Sequence, residues 1–223
     1  AADRRAACPQ PELVRELPAP GETLIGVGYH ASEDRPLLYV QGPGEDGADR
    51  LRALDTEGRT LWTAAAGTLA AGPVLRDLNG DGWTDLAGCL DYTLAVIDGA
   101  TGRIRHQAEP PPVGPFMGYR NTRALPGPFD RPLKAAAARW EAPPRPLSLV
   151  FSEDSSAGGN TLWGYSGELE RLWTAHVDQP KFGHSTCPCD LDGDGRDEVL
   201  AGCYLFDADG RQRWRLEGSE YWD

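Results

Sequence analysis

The chain has little positive charge and no long apolar run. Its 223 residues include 22 Lys and Arg against 34 Asp and Glu, which gives a formal net charge of −12. A surface that binds nucleic acid needs clustered Lys and Arg, so this balance excludes nucleic acid as the expected partner. No apolar stretch reaches the length that crosses a bilayer, and we expect no membrane span. The opening residues, AADRRAACPQPE, lack the apolar core of an export signal, so we expect any such signal to have been removed.

Cysteine is scarce, and its count is odd. The five residues are Cys8, Cys89, Cys187, Cys189 and Cys203. At least one thiol is therefore unpaired within the chain. We expect ordinary buried thiols or disulfides. A zinc site formed by His184 and the last three cysteines is the alternative, although their spacing matches no familiar zinc motif.

Two short acidic segments place an oxygen-bearing side chain at every second position. They read DLNGDGWTD (77–85) and DLDGDGRDE (190–198). A hard divalent cation takes about six to eight oxygen ligands, and this spacing supplies several from one tight loop. We predict two calcium sites, with magnesium as the alternative ion and solvated turns as the alternative without an ion. The expected ligands are Asp77, Asn79, Asp81, the carbonyl of Trp83 and Asp85, and then Asp190, Asp192, Asp194, the carbonyl of Arg196 and Glu198.

The acidic loops are not EF-hands. An EF-hand carries a bidentate Glu at position twelve between two helices, but position twelve is Gly88 in one loop and Ala201 in the other. The segments that follow, LAGCLDYTLAVID and VLAGCYLFD, are short apolar runs typical of strands. We therefore expect each loop to join two antiparallel strands. Calcium loops together with cysteine favour an oxidising, extracellular setting.

A second signal recurs along the chain. ALDTEGRTLW (53–62), VIDGATGRIRH (96–106) and LFDADGRQRW (205–214) share an apolar strand, an Asp, a Gly turn, an Arg and a second strand, and LWGYSGELERLW (162–173) is a looser copy. Each segment predicts a β-hairpin. Three hairpins place a tryptophan at the same position of the outgoing strand: Trp62, Trp173 and Trp214. We expect these rings to pack between sheets rather than to stack on a ligand.

Together the loops and hairpins define repeats of about 45 residues, a period typical of propellers and arrays. After an N-terminal extension (1–20), we predict four units at about 21–67, 68–111, 132–179 and 180–223. The predicted fold class is all-β: a β-propeller of about four four-stranded blades, either complete or part of a larger propeller.

The same residues resemble a known group of proteins. The acidic loops resemble the calcium loops of FG-GAP (VCBS-type) propeller repeats. The segment FGHSTCPCDLDGDGRDEVLAGCYLFDADG (182–210) resembles the propeller of the rhamnogalacturonan lyases, as do YRN (119–121) and DR (130–131). The resemblance implies a calcium-binding propeller, and it is weaker for lyase activity. Those lyases carry roughly twice as many blades as this chain.

Candidate catalytic residues lie outside the acidic loops. Residues 110–131 form a long Pro- and Gly-rich connection, and residues 112–146 carry six basic side chains. Arginine pairs well with the carboxylates of uronic acids, and Phe116 or Tyr119 suits stacking on a sugar. For a lyase, the candidate bases are His184, Lys181 and Tyr119, with Arg120 as the charge partner. A solubilising loop and a structural hydrogen bond from His184 are the alternatives.

These observations favour a secreted calcium-binding module that binds polysaccharide or an extracellular protein. The alternative is a polysaccharide lyase of the rhamnogalacturonan type, or a fragment of one, acting by β-elimination. A purely structural repeat is a third possibility. We expect an extracellular location, with the periplasm as the alternative.

Overall fold

The computed structural model describes residues 21–30, 35–69, 72–91, 93–111, 133–141, 147–153, 161–177 and 186–217. These residues form sixteen strands in four four-stranded antiparallel sheets, which confirms the predicted all-β class. They contain no helix, so no helix long and apolar enough to cross a membrane is found among them.

The first two sheets follow the chain without a crossover. The first sheet contains β1 (Thr23–His30), β2 (Arg35–Pro43), β3 (Asp49–Leu54) and β4 (Thr60–Ala66). The second sheet contains β5 (Val74–Arg76), β6 (Asp85–Leu90), β7 (Thr93–Ile97) and β8 (Ile104–Ala108). Within each sheet, every strand pairs with the next one along the chain, as is typical of antiparallel strands joined by short turns.

The third and fourth sheets repeat this plan. The third sheet contains β9 (Lys134–Ala138), β10 (Ser148–Ser152), β11 (Thr161–Tyr165) and β12 (Arg171–His176). The fourth contains β13 (Thr186–Cys189), β14 (Glu198–Ala201), β15 (Tyr204–Phe206) and β16 (Gln212–Arg215). The middle strands of the second, third and fourth sheets are mostly buried, those of the first sheet are about half buried, and all of β16 is exposed.

Consecutive sheets pack face to face through three apolar clusters. Leu37 and Tyr39 meet Ile97 between the first two sheets, and further clusters fill the spaces between the second and third and between the third and fourth. The innermost strands touch in succession, β1 with β5, β5 with β9, and β9 with β13. No comparable contact joins β13 to β1 within the described ranges.

All four predicted hairpins are present. The turn residue with positive φ is Gly58 (80°), Gly102 (70°) and Gly210 (77°) in the three close copies. The looser copy places Leu169 there with φ of 64°. Glycine adopts this conformation without the steric cost that a Cβ incurs, which is why the Gly position marks the turn in the sequence.

The prediction for the three tryptophans is right twice and wrong once. Trp62 is buried between the first two sheets, and its Nε1 donates to the carbonyl of Gly99 at 2.8 Å. Trp173 packs between the third and fourth sheets against Gly210. Trp214 is 47% exposed, because no described sheet packs against its face of the fourth sheet.

The four described cysteines are free thiols, so of the two expected outcomes, thiols or disulfides, the structure shows thiols. Cys89 is buried, and Cys187 is exposed. None of the four belongs to a cluster able to hold a metal ion within the described residues. His184, the remaining member of the alternative zinc site, lies outside those residues.

Candidate metal centre

Each acidic loop connects the innermost strand of a sheet to the strand beside it. The first loop joins β5 to β6, and Arg76 pairs with Asp85 where the loop closes. The second joins β13 to β14, and Cys189 pairs with Glu198 at the same point. The prediction that these loops lie between antiparallel strands is confirmed. The two loops occupy equivalent places in the second and fourth sheets.

The first aspartate of each loop organises the backbone. Asp77 accepts hydrogen bonds from the amides of Gly80 and Gly82, at 2.7 and 2.9 Å. Asp190 accepts from the glycines three and five positions later, at 2.7 and 3.0 Å. These four glycines all have positive φ, between 82° and 89°. The two loops therefore fold in the same way, as their shared sequence indicates.

The next two ligand positions behave alike. Asn79 Oδ1 accepts from the amide of Asp81 at 2.8 Å, and Asp81 Oδ1 accepts from the amide of Trp83 at 2.8 Å. In the second loop the corresponding oxygens of Asp192 and Asp194 accept from amides two residues later, at 3.3 and 2.8 Å. Each of the three aspartates spends one oxygen on the backbone, and the second oxygens of Asp81 and Asp192 accept from Asn79 Nδ2 and from Arg213, both at 2.8 Å.

The second loop gathers three carboxylates. One oxygen from each of Asp190, Asp192 and Asp194 lies within 4.8 Å of the others, and all three residues are exposed. Clustered hard oxygens suit calcium or magnesium rather than a soft metal. The donor set therefore fits the predicted ion. The carbonyls predicted at Trp83 and Arg196 remain predictions.

The last carboxylate of each loop points into the protein. Asp85 is fully buried and accepts from the amides of Leu78 and Gly99, at 3.0 and 2.9 Å. Glu198 is 3% exposed and accepts from the amide of Leu191 at 2.9 Å. Burial raises the pKa of Asp85, and the two backbone hydrogen bonds oppose that shift. These side chains hold the loop backbone in place, a role that the spacing alone does not reveal.

An arginine of the outermost strand approaches each buried carboxylate. Arg105 lies 3.7 Å from Asp85. Arg213 lies 3.2 Å from Glu198 and 2.8 Å from Asp192, one of the predicted ligands. The hydrogen bond from Arg213 holds the pKa of Asp192 below its usual range. The positively charged side chain of Arg213 would therefore lie beside any ion bound in the second loop.

Each loop also fastens its own sheet, the second or the fourth, to the sheet before it, which the sequence reasoning missed. Thr84 and Tyr29 exchange hydrogen bonds, with the amide of Thr84 donating to the Tyr29 carbonyl at 3.0 Å and the amide of Tyr29 donating to Thr84 Oγ1 at 2.9 Å. Asp197 makes the equivalent pair with Arg139. Thr84 and Asp197 are each the eighth residue of their loop. Aligning the two loops was therefore the only way for the sequence to point to this junction.

The seventh residue of each loop also contacts a residue in the preceding sheet or directly after one of its strands. The ring of Trp83 lies 4.0 Å from that of His30. Arg196 occupies this position in the second loop, and its Nε donates to the carbonyl of Trp140 at 2.7 Å. In the first junction the Tyr39 hydroxyl also donates to the Thr84 carbonyl at 2.5 Å.

A surface cleft of about 620 Å³ opens beside the first loop. Its lining combines the tilted ring pair of His30 and Trp83 with the charged side chains of Asp55, Glu57 and Arg59. Arg59 is largely exposed and is paired with Asp55 at 2.7 Å. The cleft therefore offers an aromatic surface beside groups that donate and accept hydrogen bonds.

The predicted catalytic candidates Tyr119, Arg120, Lys181 and His184 all lie outside the described residues. Two of the six basic residues of 112–146 are described, Lys134 at the start of β9 and Arg139 directly after it. Arg139 contributes its backbone to the sheet junction. The predictions of catalytic roles stay predictions.

Solved structures of similar fold belong to rhamnogalacturonan lyases. The lyase YesW matches with a TM-score of 0.60 and 20% identity, covering 87% of this chain and 42% of the lyase. The Bacillus licheniformis rhamnogalacturonan lyase PL11 matches with 0.59 and 19%, covering 87% and 42%. The exotype lyase YesX matches with 0.58 and 19%, covering 87% and 41%.

No protein-family model and no curated protein matches the chain. This chain spans about two fifths of the length of the lyases. At these identities the likeness concerns the fold alone. The chain therefore shares an all-β arrangement of packed four-stranded sheets with part of the rhamnogalacturonan lyase structures.

Proposed function

We propose that this chain is a calcium-stabilised β-propeller module of an exported protein, and that it binds polysaccharide. The observation that carries the proposal is the pair of acidic loops, which share one hydrogen-bonding pattern at two equivalent sheet junctions. An extracellular or periplasmic location accords with calcium loops, because free calcium is too scarce in the cytosol to fill weak sites.

The propeller assignment is supported by the order of the sheets. Four sheets of four antiparallel strands follow each other along the chain, and their innermost strands touch in succession. Radial repetition of such sheets defines a propeller. The four blades of the proposal are the units at 21–67, 68–111, 132–179 and 180–223.

Calcium would act on stability. An ion held by Asp190, Asp192 and Asp194 would neutralise adjacent carboxylates, and it would stiffen the loop that carries the contacts of Asp197 with the preceding sheet. Binding to the folded form alone stabilises it in proportion to the logarithm of the ion concentration over Kd. We therefore expect a chelator to lower the Tm.

Matched variants test the calcium sites. In Asp194→Asn the side chain keeps an oxygen to accept from Arg196, but loses the charge that an ion needs. Asp81→Asn does the same in the first loop. Asp46→Asn, at an exposed carboxylate paired with Arg50, is the control. We expect each loop variant to have a smaller Tm difference between calcium and chelator than the wild type, and the control to have the same difference. Equal Tm differences in the wild type and all three variants would refute the calcium sites.

The cleft beside the first loop is the proposed polysaccharide contact. Sugars stack on aromatic rings and exchange hydrogen bonds with charged side chains, and Trp83, Asp55 and Arg59 supply both kinds of contact. The names of the similar structures make rhamnogalacturonan the first polysaccharide to try.

Calorimetric titration with rhamnogalacturonan oligosaccharides tests the cleft. Trp83→Ala removes the ring but keeps the backbone carbonyl predicted as a metal ligand. We expect this variant to weaken binding at least roughly tenfold, since aromatic anchors carry much of such binding energy. Leu172→Ala, at an exposed apolar residue of β12, is the control and should bind as the wild type does. Unchanged affinity in Trp83→Ala would show that the polysaccharide does not bind at this cleft.

A lyase acting by β-elimination is the second candidate, and the similar lyase structures favour it. The base would come from His184, Lys181 or Tyr119, with Arg120 as the charge partner. Absorbance from unsaturated uronides, on incubation with pectic polysaccharides, reports this reaction. Binding without such absorbance would support a binding module, and accumulation of unsaturated ends that His184→Ala abolishes would support the enzyme.

A further inference from the structure

Each sheet contains one row of four residues directly opposite each other on its four strands. The four rows have the same register from strand to strand. Each row ends on the outermost strand of its sheet, at Trp62, His106, Trp173 or Trp214. They are Gly26, Tyr39, Ala53 and Trp62; Val74, Ala87, Val96 and His106; Ala136, Val150, Gly164 and Trp173; and Cys187, Leu200, Leu205 and Trp214. Opposite residues share a face, so every row lies on one face of its sheet.

The first three rows are covered, whereas three of the four side chains in the fourth row are exposed. Tyr39 and Ala53 are fully buried, and so are their counterparts in the second and third sheets. In the fourth sheet Leu200 is 39% exposed and Trp214 is 47% exposed, Cys187 is exposed as well, and Leu205 alone is buried. The row position held by Leu200 is therefore fully buried in three sheets and exposed in the last one.

The cover of the earlier rows is the same each time: the next sheet along the chain. Trp62 lies over the turn of the second sheet, so close that a Cβ at Gly102 would stand 2.5 Å from its ring. Trp173 lies over the turn of the fourth sheet, where a Cβ at Gly210 would stand 2.6 Å from its ring. Both covered tryptophans of this register therefore pack on a glycine turn of the next sheet.

The first sheet of this chain offers such a turn. Asp55 and Gly58 close it with the two backbone hydrogen bonds that Asp207 and Gly210 make in the fourth sheet. Gly58 has φ of 80°, against 77° for Gly210. The turn that covers Trp173 and the turn of the first sheet are thus the same structure.

The first sheet also has an apolar surface on the face turned away from the second sheet. Leu24 and Val27 pair with Val40 and Leu38, opposite to the face of Tyr39, and they are 58% and 57% exposed. They lie on β1, an innermost strand. Innermost strands are the ones that touch between neighbouring sheets of this chain, as β9 and β13 do. Leu24 and Val27 are therefore placed to meet the innermost strand of a further sheet.

We propose that the Trp214 row is an interaction surface for the first sheet of a second copy of this chain. The contact continues the packing seen three times within the chain, with Trp214 over the Gly58 turn and β13 beside Leu24 and Val27 of the partner. The contact is head-to-tail. Two copies form a closed dimer when the Trp214 row of each copy packs against the first sheet of the other copy.

Sedimentation velocity over a concentration series tests the contact. The wild type should associate to twice the 24.1 kDa chain mass. Trp214→Glu on the row and Val27→Glu on the first sheet should each weaken association at least tenfold, because both bury a charge in an apolar contact. Leu172→Glu, at an exposed position of β12, is the control and should associate like the wild type. Leu200→Glu replaces Trp214→Glu if that variant fails to fold.

Mixing the two interface variants separates this arrangement from a symmetric one. An equimolar mixture of Trp214→Glu and Val27→Glu contains one intact row and one intact first sheet, so it should recover a heterodimer that neither variant forms alone. A row that packs on a second row would show no recovery. The proposal is overturned by a wild type that stays monomeric at all concentrations, by wild-type association of Trp214→Glu, or by failure of the mixture to associate.

Discussion

Asp197 and Arg139 join the fourth sheet to the third through a pair of opposed hydrogen bonds. The amide of Asp197 donates to the Arg139 carbonyl at 2.7 Å, and the amide of Arg139 donates to Asp197 Oδ2 at 2.8 Å. Thr84 and Tyr29 make the same connection between the first two sheets. Each acidic loop therefore joins its own sheet to the sheet before it.

Removal of this carboxylate should cost stability. Asp197 is 8% exposed, and Asp197→Ala leaves the amide of Arg139 without its acceptor. We expect the free energy of unfolding to fall by about 2 kcal/mol, since hydrogen bonds to charged groups contribute about 1.5–3 kcal/mol. Asp197→Asn keeps an acceptor oxygen and should lose clearly less. Urea unfolding of both variants measures the difference, and equal losses would contradict the role of this hydrogen bond.

The turn glycines under the tryptophans should tolerate alanine poorly. Gly102 and Gly47 have nearly the same φ, 70° and 77°, but nothing lies within 4 Å of a Cβ at Gly47. Gly47→Ala should therefore show only the cost of the left-handed conformation, about 1 kcal/mol. Gly102→Ala also pushes against the Trp62 ring and should cost about 2 kcal/mol more. Thermal unfolding compares the two, and equal Tm losses would show that the ring yields freely.

Stability should fall at alkaline pH because of Tyr39. Burial, together with the charges of Asp85 and Asp98, raises the pKa of Tyr39 in the folded protein. A group with a raised folded pKa contributes fully below its unfolded value, about 10 for tyrosine, and the contribution is lost as pH rises further.

Tyr39→Phe tests this dependence. The variant should lose about 1 kcal/mol at neutral pH, because the hydrogen bond to the Thr84 carbonyl is gone. Its unfolding free energy should then fall less steeply than that of the wild type above about pH 10. Urea unfolding between neutral and alkaline pH measures both slopes, with Tyr29→Phe at an exposed tyrosine as the control. Parallel curves would exclude Tyr39 as the cause.

Arg213 should affect ion binding and stability in opposite directions. It pairs with Asp192 and with the buried Glu198. If calcium binds the second loop, Arg213→Gln should tighten binding severalfold, because a competing cation is removed. Without calcium the same variant should be less stable, since a buried carboxylate loses its partner. Calorimetry and chelator melts measure the two effects, with Arg211→Gln, an exposed arginine that pairs with Asp209, as the control. Weaker calcium binding by Arg213→Gln would contradict the competition.

The local pattern of the sequence predicts most of the strands, because period, turn glycines and acidic spacing act within a few residues. The hairpins ending at Trp62 and Trp214 look alike in sequence for this reason. The acidic loops are predictable in the same way, since Asp77 and Asp190 organise only the residues that follow them.

Tertiary structure decided what these local elements meet. Trp62 is covered by the second sheet, whereas Trp214 has no described sheet beside it, although the two residues share a register. The partners of Asp197 and Glu198, Arg139 and Arg213, come from another sheet and another strand. Burial and long-range pairing depend on how whole sheets pack, and no short stretch of residues carries that information.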